Sequence, residues 1–382
     1  MDKNIFSKFR GLTTISIGTI VSNGISGIFW LYLARLVGTG DYGEISYFIA
    51  IAGLGTMISL LGGGNTITVY TAKKIQIQPP LYLIVIISST ISSIVLFFIT
   101  SNIYVSINVI GFCLFSLVGF ELLGAKRYKK WTILQISQKA IMVIASIILY
   151  YELGVNGVIF GIGISYFPMT VIHIVNVFRV KEIDFSLIRS KVKFMTNSYA
   201  MELSRSLGSS VDKIIIVPLL GFAMLGNYQL SLQILTILWI LPSIIYQYIL
   251  PLDSTGIPNK KLKIISILIS VILALITIIL APVLIPILFP EFIEAIQLIQ
   301  IVSISIIPNT INTIYISKFL GQEKSKIVLI GSIIFVSVQI STIIILGKII
   351  GINGVAMSLL IAGITEMAYM IYCNNVEDKK QK

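Results

Sequence analysis

The stretch "NSYAMELSRSLGSSVDKII", residues 197–215, sets Glu202, Arg205, Asp212 and Lys213 within a segment whose flanks are apolar enough to cross a bilayer. At about 100° per residue, Glu202, Arg205, Ser209 and Asp212 follow an i, i+3, i+7, i+10 spacing and share one helix face, with Ser198 one turn earlier. A charge at the centre of a membrane helix costs about 2.5–3.5 kcal/mol on an insertion scale, so such residues face a water-filled cavity or a bundle interior. The chemistry on offer is recognition. A guanidinium is always charged and takes phosphate in a bidentate fork, so one reading has Arg205 offered to an anionic group across a polar stripe. The other has Glu202 and Arg205 neutralise each other as an i, i+3 pair that only packs. Asp212 and Lys213 lie nearer the outer end, where substrate contact and simple interfacial placement fit equally well.

Lys139, with Gln135 one turn before it, gives a second polar face; pairing with a neighbouring helix would explain it as well. Glu121 and Glu366 read as structural partners inside a bundle, and His173 and Asn176 as packing or interfacial residues. Cys113 and Cys373 share no motif spacing, so they suggest neither a disulfide nor a metal site. The chain shows no carboxylate pair, nucleophile motif, phosphate-cradling loop or metal-ligand cluster. It reads as a non-enzyme without cofactor or metal, and any transport would be uncoupled or gradient-driven.

The elements that must position these residues are membrane helices. Of 382 residues 56% are hydrophobic and 12% charged, about half the charge of a soluble domain. Apolar stretches near the roughly 20 residues a bilayer requires recur from Gly11 to the C-terminus. Unbroken apolar runs exclude the alternation of a barrel, which leaves helices. Twelve are predicted, near 11–37, 43–72, 80–100, 103–124, 131–150, 155–178, 194–220, 225–250, 262–288, 293–320, 327–347 and 352–373. The basic N-terminus precedes a long span without a small-residue cleavage site and is read as retained.

A formal net charge of +12 invites a nucleic-acid reading, but the positions of the charges exclude it. Alternate connections hold 23 of the 28 Lys and Arg, including Lys73, Lys74, the run "KRYKK" at 126–130 and five residues between Arg179 and Lys193. The opposite connections hold Arg35 and Lys348. This asymmetry predicts a multi-pass plasma-membrane protein with both termini cytoplasmic, with some attraction to anionic membrane lipids.

The sequence also resembles itself. "LVGTGDYGEIS" from Leu36 and "LLGFAMLGNYQLS" from Leu219 align Gly38 and Gly43 with Gly221 and Gly226 at an offset of 183. "ELLGAKRYKK" matches "KFLGQEKSK", and "GVNGV" at 154–158 matches "GINGV" at 351–355, both at an offset of 197. The reading is a duplicated six-span unit, 1–182 and 183–382, repeated in the same orientation around a central cavity. "GGGN" at 62–65 falls inside a span and reads as a close helix contact. Pro242, Pro251, Pro282, Pro286 and Pro290 are expected to kink or end helices.

At this point the chain resembles a known family. "LARLVGTGDYGEISYFIAI", "GGGNTITVYTAK", "SVDKIIIVPLLGFAMLGNYQLSLQI" and "LFPEFIEAIQLIQIVSISIIPNTINTIYISKFLGQEKSK" are similar to the polysaccharide-transport, or O-antigen flippase, family of the multidrug/oligosaccharidyl-lipid/polysaccharide (MOP) superfamily. The resemblance implies a MATE-like fold of two six-helix bundles around a cavity, and flipping of a polyprenyl-diphosphate-linked oligosaccharide to the outer leaflet by alternating access. It further implies that cavity cations hold the lipid diphosphate, here Arg205 with the Asp212–Lys213 pair, and that a glycan polymerase or glycosyltransferases act beside it.

Three rivals remain. A cation-coupled multidrug exporter of the same superfamily needs acidic coupling sites, usually in the N-terminal half, yet the first three spans carry no Asp or Glu beyond Glu44 at the outer edge of the second. A peptidoglycan-precursor flippase belongs to a branch with fourteen spans. A non-transporting scaffold of a glycan assembly complex would have no reason to keep a polar stripe.

Overall fold

The computed structural model describes residues 3–180, 183–254, 259–322 and 324–380. Within these, the side chains of 3–12, 204–209 and a few isolated positions lie outside the description, Arg205 and Ser209 among them. The described residues form helices and connections, with no strand. In chain order the helices are α1 (Lys3–Leu60), α2 (Gly63–Ala72), α3 (Gln78–Thr100), α4 (Ile103–Gly124), α5 (Tyr128–Leu153), α6 (Val155–Ile164), α7 (Phe167–Val180) and α8 (Ser186–Arg189). They continue with α9 (Val192–Leu220), α10 (Phe222–Leu238), α11 (Ile240–Ser254), α12 (Lys260–Leu288), α13 (Ala295–Ile304), α14 (Ile306–Gly321), α15 (Ser325–Ile350) and α16 (Ile352–Lys380).

All twelve predicted spans fall on helix. α1 runs through the first and most of the second, bent at Gly38, whose φ of 76° and ψ of 179° are not helical. α6 with α7, α10 with α11, and α13 with α14 each build one predicted span from two pieces. Nine helices among the described residues are long and apolar enough to cross a membrane, Thr13–Leu60 counting once. The outward faces explain why. In α3, Ile87, Ile91, Ile94 and Phe98 are exposed at helical spacing, while Leu81, Tyr82, Val85, Ser89 and Ser93 are buried. In α12 the buried face is mostly small, with Ser266, Ser270, Ala274 and Ala281 before Ile285, and Leu268, Ile272, Ile279 and Ile287 point outward. Small residues inside and bulky apolar ones outside suit a lipid surround, where hydrophobicity does not drive helices together and close packing does.

The chain packs as two compact units. One holds the described residues of Met1–Phe29 and Tyr47–Ser210, the other those of Trp30–Ser46 and Val211–Lys382. Two sets of local contacts account for these units. The bend around Gly38 is held by α10: a Cβ on Gly43 would overlap the Phe222 carbonyl oxygen, and a Cβ on Gly226 would overlap that of Thr39. The Tyr42 ring there meets Phe292 edge-on at 5.9 Å. Most of α9, by contrast, belongs with α2: a Cβ on Gly62 would overlap the Met195 carbonyl oxygen.

Geometry recurs at the offsets read from the sequence. Gly221, with φ 85° and ψ 176°, repeats the conformation of Gly38, and Gly351 (φ 66°, ψ −143°) repeats Gly154 (φ 60°, ψ −136°). Only glycine takes such positive φ without strain. Gly157 lies against the Leu149 carbonyl and Gly354 against that of Leu346. Asn102, which caps α4, donates to Asn156 at 2.7 Å, and Asn353 donates to Gln297 at 3.1 Å. Side-chain hydrogen bonds thus tie the start of the last span to the same neighbour in each repeat.

Candidate functional site

α9 carries most of the predicted polar stripe. Its N-terminal part packs on Gly62, while Gly63 faces Leu117 and Val85 and Gly64 faces Phe120; Leu61 and Gly62 both take positive φ and divide α1 from α2. The close contact expected of "GGGN" is present, and it comes with a helix break that periodicity did not reveal. The break creates a new helix start with free N–H groups. Gly62 has no side chain to cap it, and Glu202, reaching from α9, accepts a hydrogen bond from the Asn65 N–H at 3.2 Å. A carboxylate there also meets the positive end of the α2 dipole. Ser198, one turn earlier, is buried.

Farther along α9, Asp212 is buried and accepts hydrogen bonds from the Tyr228 hydroxyl of α10 at 3.1 Å and from the Lys213 N–H at 2.8 Å. The Lys213 ammonium lies 3.6 Å from the same carboxylate. This adjacent pair is tied to its own unit by Tyr228. Lys139, on α5, is half-buried and has no hydrogen-bond or ion-pair partner among the described residues. Gln138 beside it donates to Ser165 at 2.8 Å. Of the six predicted site residues, Lys139, Glu202, Arg205 and Ser209 belong to the first unit, and Asp212 and Lys213 to the second.

Three clusters were not legible as clusters. In the first unit, Glu121 on α4 accepts from the Tyr82 hydroxyl at 2.7 Å and contacts His173 Nε2 at 3.0 Å, joining α3, α4 and α7. In the second unit, the buried Glu366 accepts from Asn312 at 3.0 Å, and the Asn312 amide also donates to the Gly363 carbonyl. At the basic end of that unit, Asp253 gathers Lys263 at 2.7 Å, Asn259 at 2.8 Å and Ser317 at 2.6 Å. Burial works against the Asp253 charge, but the bonds from Lys263, Ser317 and Asn259 outweigh it and hold the carboxyl below its ordinary range. The sequence marked Glu121, His173 and Glu366 singly; Glu121 and His173 are 52 residues apart and Glu366 and Asn312 are 54 apart, which leaves no local signal.

No protein-family model matches the sequence, and no curated protein matches it. Solved structures do. The lipid II flippase MurJ in an inward closed conformation superposes with a TM-score of 0.71 at 14% identity, covering 94% of this chain and 87% of that one. An inward-facing multidrug resistance MATE family transporter of the MOP superfamily gives 0.66 at 13% identity, covering 97% and 100%. A MOP superfamily transporter from Pyrococcus furiosus gives 0.61 at 12% identity, covering 97% and 96%. The chain shares the fold of these three structures. At these identities the likeness speaks to architecture, and the fold that the sequence resemblance implied is the one present.

Proposed function

We propose that the chain is a membrane flippase that carries a polyprenyl-diphosphate-linked oligosaccharide from the cytoplasmic to the outer leaflet by alternating access. The observation that carries the reading is the fold, shared over nearly the whole chain with the lipid II flippase MurJ, together with ionisable residues kept on membrane helices. Lys139 is a half-buried cation without a partner among the described residues, and Arg205 lies on the face that Glu202 and Asp212 define. In this reading Arg205 and Lys139 hold the diphosphate, Ser209, Asp212 and Lys213 extend the polar track for the sugars, and Glu202 keeps α9 fixed against α2. The prenyl chain stays in lipid.

Export of a lipid-linked glycan in cells that depend on this chain tests it. Arg205→Ala should reduce outer-leaflet glycan at least tenfold, with Lys139→Gln giving a smaller loss, both at unchanged protein level; about 1.4 kcal/mol of lost binding corresponds to each factor of ten. Normal export by Arg205→Ala would discard the role. The likeness to the MATE transporter keeps a cation-coupled drug exporter as the second reading. Drug resistance that follows expression of the chain and depends on a sodium or proton gradient would favour it.

A further inference from the structure

Beyond the α9 stripe, the basic end of the first unit brings two cations onto one aromatic ring. The Lys73 ammonium, just past α2, lies 5.6 Å from the Tyr70 ring centroid, and the Lys191 ammonium, just before α9, lies 5.3 Å from it. The ring itself is buried and is braced edge-on by Phe194 at 5.6 Å. The ring quadrupole attracts each cation, and neither has an acidic partner among the described residues. Asp184, the nearest described acid in sequence to Lys191, accepts a hydrogen bond from the Ser186 N–H at 2.9 Å. Two cations on one ring without a counter-charge among the described residues offer an anion site. Phe194, which meets the ring, and Val192 beside Lys191 expose apolar side chains there, next to the exposed Ser190 and Lys193. Two ammonium groups beside the exposed apolar side chains of Val192 and Phe194 suit an anion that carries a hydrocarbon tail.

We infer that Lys73 and Lys191, set by Tyr70, bind a lipid-borne phosphate or diphosphate at the basic end of the first unit, outside the α9 stripe. That the lipid is the transported prenyl diphosphate rests on the flippase reading; the site itself rests on the ring and its two cations. A glycerophospholipid offers the same phosphate chemistry from another source.

The test is binding, which needs no turnover. Purified full-length chain in phosphatidylcholine nanodiscs is doped with undecaprenyl diphosphate or with phosphatidylglycerol, and inorganic diphosphate is added separately in solution. Lys73→Gln/Lys191→Gln should weaken retention of at least one doped lipid about tenfold or more, while Lys129→Gln/Lys130→Gln, an equal loss of charge at the same end, should change it little. The lipid that responds names the source. Equal losses in both double variants, or retention unchanged in the first at an unchanged thermal midpoint, would overturn the site, as would inorganic diphosphate binding as tightly as either lipid. A chain that binds as expected but exports normally with Arg205→Ala would lose the α9 assignment and keep this one.

Discussion

Asp253 shows how much one side chain organises at the basic end of the second unit. Its two oxygens take bonds from Lys263 at the start of α12, from Asn259 in the connection before it, and from Ser317 on α14, so three segments meet on one carboxylate. Because its folded pKa is depressed, its contribution to stability is present at neutral pH, above the unfolded carboxylate value, and is lost as pH falls through the lower folded one. Asp253→Asn should lower stability at pH 7 by about 1 kcal/mol once solvent screening is allowed for. The variant's thermal midpoint should also respond less to acid than that of the unsubstituted chain, and parallel acid limbs for the two would contradict the assignment. A second check at this scale concerns Glu202. As the cap of α2 its replacement by Gln keeps an acceptor oxygen, so Glu202→Gln should fold and Glu202→Ala should lose about 0.5–2 kcal/mol, read from melting in detergent.

At the scale of elements, the glycines decide. Gly43 and Gly226 each sit against a backbone carbonyl that cannot move aside, so Gly43→Ala or Gly226→Ala should destabilise by at least about 1–3 kcal/mol. Gly24, with open space where its Cβ would lie, makes the control: Gly24→Ala should be neutral or slightly stabilising by helix propensity. Equal behaviour at the three positions would remove the close-packing account. The spans themselves were legible in the sequence because lipid forces an unbroken apolar run on each helix. The repeat was legible because positive-φ turns demand glycine, as at Gly38, Gly221, Gly154 and Gly351. What stayed hidden follows from the same physics. The break at Leu61–Gly62 lies within an apolar run where periodicity is uniform, and the Glu121–His173 contact joins helices whose sequence gives each residue a plain structural explanation. The two packing units were hidden too, since only close backbone contacts reveal which helix the bend at Gly38 leans on.

For the whole molecule, the distribution of basic residues sets a testable orientation. α5 spans 26 residues, about 39 Å at 1.5 Å per residue, and carries Lys129 at one end and Glu152 at the other. With the native cysteines replaced, Glu152→Cys should react with an impermeant maleimide in intact cells and Lys129→Cys only after the membrane is opened; the reverse pattern would invert the topology read from charge. The reciprocal seating of Gly43 against Phe222 and Gly226 against Thr39 has a consequence for assembly. A patch that docks onto its own counterpart is what two identical chains use to form a homodimer, so one polypeptide holds within itself the kind of attachment two copies of a unit would make. Severing the connection between Arg179 and Asp184 leaves that attachment whole, and the two fragments, made together, should find each other and copurify.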